Sequence, residues 1–114
     1  MARLRRLDME LKTGTSPLQG PLRYYINGFD VEFDEMEGST APGGALQAVG
    51  YPESHPHTLT LGGPETGIWD LEELRITYHY EDQEPYTVRL GAVTLHEGEE
   101  LNLLVTRPLP VIEV

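Results

Sequence analysis

The chain has 114 residues, no cysteine, 39% hydrophobic residues and a formal net charge of −11. That length suffices to bury a core without staples, and the missing cysteines exclude disulfides, thiolate metal sites and cysteine nucleophiles. The acidic balance repels phosphate backbones and argues against nucleic-acid binding. The N-terminal ten residues turn charged before any hydrophobic run develops, so neither a signal peptide nor a membrane span is expected. The expectation is one cytoplasmic domain over residues 1–114.

The charge is unevenly spread. Five of the eight basic residues (Arg3, Arg5, Arg6, Lys12 and Arg23) lie in the first 23 positions, opposed there only by Asp8 and Glu10. The remainder sets Arg75, Arg89 and Arg107 against seventeen acids. A basic partner surface suits such a chain better than a nucleic acid.

In chain order, residues 4–12 alternate, with Leu7, Met9 and Leu11 on one face, and predict a first strand. A loop rich in Gly and Pro over residues 13–21 leads to the strongest local signal, Asn27-Gly28. It supplies the two positive φ values of a type I′ turn between alternating runs, which sets the register: Ile26 opposite Phe29, Tyr24 opposite Val31, Leu22 opposite Phe33. Tyr25 with Asp30 and Arg23 with Glu32 then share the polar face. The acidic run 34–37 passes into a glycine-rich loop at 38–44. Residues 45–51 and 57–61 predict short strands. Asp70-Leu71-Glu72-Glu73 has the spacing of a capping box and, with Ile68 and Leu74, predicts one helical turn.

From Leu74 the alternation resumes. Matching faces pair Tyr80 with Tyr86 across a five-residue loop, which puts His79 opposite Thr87. Likewise Leu95 pairs with Leu101 and Val93 with Leu103 around Glu97-Gly98-Glu99. This last segment, residues 93–105, resembles the pattern in immunoglobulin-like domains where a strand turns through Glu-Gly-Glu into the next hydrophobic strand. In that family the pattern opens the domain and a cysteine strand follows; here it lies late in the chain and Leu103 stands at the cysteine's place. The resemblance implies a sandwich hairpin. Leu109 to Val114, flanked by prolines, predicts a terminal edge strand. The fold class expected is all-β: an antiparallel sandwich or barrel of eight to nine short strands, joined largely by hairpins, with at most one helical turn.

No Gly-x-Ser-x-Gly elbow, phosphate-binding glycine loop or paired-carboxylate signature is present, so the expectation is a protein without catalytic activity. His55-Pro56-His57 is the tightest histidine pair and the one candidate for a transition metal, because residues two apart in an extended segment point the same way. No carboxylate follows within five residues, so the competing expectation is a partly buried His57 held by backbone. His79 and His96 read as surface histidines. No cofactor is expected otherwise. The acids Asp30, Glu32 and Asp34, and Glu81, Asp82 and Glu84, lack the spacing of a calcium loop. Tyr25 is the tyrosine committed outward, among Arg23, Asp30 and Glu32.

The resulting expectation is an acidic β-sandwich module for protein interaction or assembly, of a self-assembling, inhibitor, immunity or phage-structural type. Its interface candidates are Arg5, Arg6, Arg23, Tyr25, Asp30 and Glu32, and its partner is a basic protein surface or a second copy, with no membrane or nucleic acid. The alternative is a small-ligand or metal-binding β-barrel using His55 and His57.

Overall fold

Ten antiparallel strands and no helix make up the regular structure of residues 3–104, which the computed structural model describes. In chain order they are β1 (Leu4–Thr13), β2 (Arg23–Ile26), β3 (Phe29–Glu32), β4 (Glu35–Gly38), β5 (Ala45–Gly50), β6 (Leu59–Gly62), β7 (Ile68–Tyr80), β8 (Tyr86–Arg89), β9 (Val93–His96) and β10 (Glu100–Asn102). The larger sheet runs β4-β5-β1-β7-β8, with β9 also on β7, and the smaller runs β10-β6-β2-β3. Both close on one core that includes Leu7, Met9, Tyr24, Leu61, Trp69, Ile76 and Tyr78. Each such fully buried side chain contributes on the order of 2 kcal/mol through removal of apolar surface from water. The terminal strand expected at Leu109 to Val114 lies outside the described residues.

The long central strands owe their spacing to bulges. On β1, Leu4 pairs with Tyr80 and Arg6 with His79, so Arg5 is an extra residue, and both Leu4 and Leu7 reach the core although three positions apart. On β7, Leu71 pairs with Thr13 and Glu73 with Lys12, leaving Glu72 extra. This corrects the helical turn expected at residues 70–73. The spacing of three between Leu71 and Leu74 marks a register shift within a continuous strand, since one added residue changes the apolar period locally from two to three.

Two expected pairings are also corrected. Tyr86 lies opposite Tyr78 rather than Tyr80, and Thr77 rather than His79 faces Thr87. The shift is by two residues, so every side chain keeps its face. The β9–β10 hairpin does not form: β9 pairs with β7 while β10 pairs with β6 in the other sheet, and the turn at Glu97-Gly98-Glu99 carries the chain across the core. Among the described residues only β2–β3, β4–β5 and β7–β8 are hairpins between consecutive strands, fewer than the sequence suggests. The acidic run forms the edge strand β4, which brings the strands among the described residues to ten.

The Asn27-Gly28 hairpin forms in the expected register, with φ of 52° at Asn27 and 85° at Gly28. Tyr24 and Ile26 are buried, but Phe29, expected to share their face, is 71% exposed. It stands at the tip of an outermost strand.

Candidate functional site

The outer face of the smaller sheet gathers four of the six interface candidates. Because β2 and β3 alternate, the residues flanking buried Tyr24 point away from the core: Arg23 and Tyr25 on β2, Asp30 and Glu32 on β3. Arg23 Nη1 donates to Asp30 Oδ2 at 2.6 Å and Nη2 lies 4.0 Å from Glu32 Oε1. The hydrogen bond that Arg23 donates to Asp30, then the charge of Asp30, raises the guanidinium pKa further above its already high value. Such exposed pairs orient side chains more than they stabilise, at about 0–1 kcal/mol each.

On the same face Tyr25 lies opposite Thr60 of β6, and its ring rests on Gly62, where a Cβ would stand 2.9 Å from the ring carbon Cε2. Gly63 hydrogen-bonds to Glu99 O at 2.9 Å, and a Cβ there would collide with that oxygen at 2.4 Å. Gly62-Gly63 therefore does more than turn the chain: lacking side chains, it lets the tyrosine and the Glu97–Glu99 turn close in. Between them opens a shallow hollow of about 310 Å³, walled by Tyr25, Glu65, Glu97, Glu99 and Glu100, and a second of about 190 Å³ continues past Gly62 to Arg23 and Asp30. The wall is acidic with one aromatic ring, a setting that suits a cationic side chain.

Sequence reasoning misses Glu65, Glu97, Glu99 and Glu100, because the loop, turn and strand that carry them to Tyr25 are far from it in the chain. The adjacent glycines are the available signal, as a close approach of backbone and ring needs them.

Arg5 and Arg6 are elsewhere, on β1 of the larger sheet. Arg5 Nε lies 3.6 Å from Glu53 Oε2. Arg6 donates to Asp8 Oδ1 at 2.9 Å and stands 5.9 Å above the Tyr51 ring, whose hydroxyl donates to Glu35 Oε2 at 3.0 Å. The other Asp8 oxygen is 2.6 Å from His79 Nε2, which makes His79 a half-buried partner of Asp8.

His55 and His57 are both exposed, so the expected partial burial of His57 is corrected: β6 begins only at Leu59, and residues 55–58 are not extended from it into the sheet. Asn27 holds this segment. Its Nδ2 donates to His55 O at 3.0 Å, and its Oδ1 accepts from the backbone N–H groups of His57 at 2.6 Å and Thr58 at 3.2 Å. Among the described residues no group of three or more His, Asp or Glu side chains has an arrangement that could hold a metal ion. Asp34, grouped by sequence with Asp30 and Glu32, instead accepts from Tyr51 N at 2.9 Å.

Against known proteins, the chain matches no family model, no curated protein and no solved structure.

Proposed function

We propose that this chain is a non-catalytic acidic β-sandwich module for protein interaction or assembly, and that it docks a basic surface on the outer face of β2 and β3. Arg23, Tyr25, Asp30 and Glu32 form the centre of that face, and the hollow beside Tyr25 receives a lysine or arginine side chain.

One observation carries the reading. All seven basic side chains among the described residues already face a carboxylate of their own chain: Arg3 and Arg5 share Glu53, Arg6 takes Asp8, Lys12 takes Glu72, Arg23 takes Asp30, and Arg75 and Arg89 share Glu73. Around Tyr25, by contrast, Glu65, Glu97 and Glu100 form no ion pair with a described residue. A partner's cations complete that half, and the resulting long-range attraction raises association rates more than final affinity. Arg5 and Arg6 belong to the other sheet, so a second copy using them docks head to tail rather than face to face.

Native mass spectrometry of the purified protein, alone and with an arginine-rich peptide, tests the reading. A defined oligomer, or a peptide complex that dissociates as salt rises and is lost in the Asp30→Lys/Glu32→Lys variant, supports it. A bare monomer that ignores the peptide even at low salt sinks it. A transition-metal adduct that disappears in His55→Ala/His57→Ala would move the histidine pair to first place.

A further inference from the structure

β3 is the outer strand of the smaller sheet, pairing with β2 on one side only among the described residues. In a two-residue hairpin the pair next to the turn, here Ile26 and Phe29, exchanges both backbone hydrogen bonds, and the antiparallel ladder repeats this at every second pair. Phe29 and Val31 therefore spend their backbone groups on β2. The N–H and C=O groups of Asp30 and Glu32 point away from the sheet, along an edge with no proline. Edges of this kind pair readily with another extended chain.

The side chains decide which chain. Asp30 and Glu32 are both exposed on the outer face, while Phe29, at 71% exposure, and partly buried Val31 present apolar surface on the other. Phe29 is the most exposed large hydrophobic residue among those described. A second copy of β3 laid antiparallel would set carboxylate against carboxylate, which is unfavourable. We infer that the β3 edge accepts an extended strand from a different protein, alternating basic residues opposite Asp30 and Glu32 with apolar residues that cover Phe29 and Val31. The backbone pairing supplies affinity and the alternation supplies selectivity, as in other strand-addition complexes. This inference rests on the proposed docking of a basic partner and names its form.

Amide hydrogen exchange by NMR, with a short peptide alternating arginine and valine, tests it. In the free protein the Asp30 and Glu32 amides exchange fast and those of Phe29 and Val31 slowly; the peptide slows Asp30 and Glu32 by about tenfold or more, as formation of new ladder hydrogen bonds requires. A peptide of the same sequence with alternate backbone nitrogens methylated keeps the charge and loses the ladder. It binds about tenfold more weakly if the edge is the site. Glu32→Pro, which removes one outward N–H together with the carboxylate at an edge position that tolerates proline, weakens the unmodified peptide more than Glu32→Gln, which removes the charge alone.

Equal binding of the methylated and unmodified peptides overturns the edge pairing and leaves the charged docking face standing. Protection of Asp30 and Glu32 already present in the free protein overturns it as well. Absence of any binding by either peptide overturns the edge inference, and the oligomer measurement then judges the broader reading separately.

Discussion

The Tyr24 ring of β2 crosses the core to lie on the backbone of Gly50 in β5, so closely that a Cβ on residue 50 would stand 2.7 Å from the tyrosine hydroxyl. The hydroxyl is buried and has no hydrogen-bond partner among the described residues. The contact is thus between shapes, at a point where the two sheets meet. Tyr24→Phe removes an unsatisfied polar atom and is expected to leave stability unchanged or raise it by up to about 1 kcal/mol. Gly50→Ala forces the ring from its place and is expected to cost about 1–3 kcal/mol. Urea denaturation of both variants checks the pair; a clear loss in Tyr24→Phe would mean that the hydroxyl has a partner in solution.

Thr13 is fully buried, and its hydroxyl accepts from Trp69 Nε1 at 3.2 Å. Thr13→Val keeps the volume and orphans the indole N–H, for an expected loss of about 1–3 kcal/mol. Thr13→Ser retains the acceptor and is expected to lose less. The same ordering should appear in the midpoint of a tryptophan-fluorescence unfolding curve, since Trp69 is the only tryptophan.

Asn27 has two duties, the left-handed turn position with φ of 52° and the clamp on residues 55–58. Asn27→Gly preserves the first and loses the second; Asn27→Ala loses both. The expected order of stability is wild type, then Asn27→Gly, then Asn27→Ala, with the last about 2 kcal/mol below wild type from the strained φ and the lost hydrogen bonds. If glycine matched wild type, the clamp would contribute nothing measurable.

Alkaline pH should unfold the protein through its tyrosines. Burial pushes Tyr24 and Tyr80 from 10.0 to about 12, with neighbouring Asp34 and Tyr86 respectively adding to the effect, and burial raises Tyr78 further. Tyr24 and Tyr78 lie in the core and partly buried Tyr80 packs against it, with Tyr78 5.1 Å from the Tyr86 ring and donating its hydroxyl to Leu103 O. A folded-state pKa above the unfolded one means that the native state holds the proton longer. The stabilisation is complete below the unfolded value near pH 10 and is lost as pH rises toward 12. A spectrophotometric titration should therefore show a late phenolate phase coinciding with loss of near-ultraviolet circular dichroism. Full tyrosine ionisation well before unfolding would contradict the burial.

Local physics is legible in the order of the residues alone. Asn27-Gly28 with alternating flanks sets the turn type, the register and the outward side of Arg23, Tyr25, Asp30 and Glu32, because a type I′ turn and a period of two are properties of neighbouring residues. The all-β class follows from the same alternation. Choices between partners that satisfy the same alternation are not legible there. Tyr86 fits Tyr78 as well as Tyr80 by parity, and Leu95 suits Leu101 because both are apolar, although each strand lies in a different sheet. The bulge at Glu72 imitates a helical turn, since a register shift and a helix both space apolar residues three apart. Only packing across the core chooses among these. The same packing brings Glu65, Glu97 and Glu100 to Tyr25, a grouping that arises from strand order rather than from anything a segment carries alone.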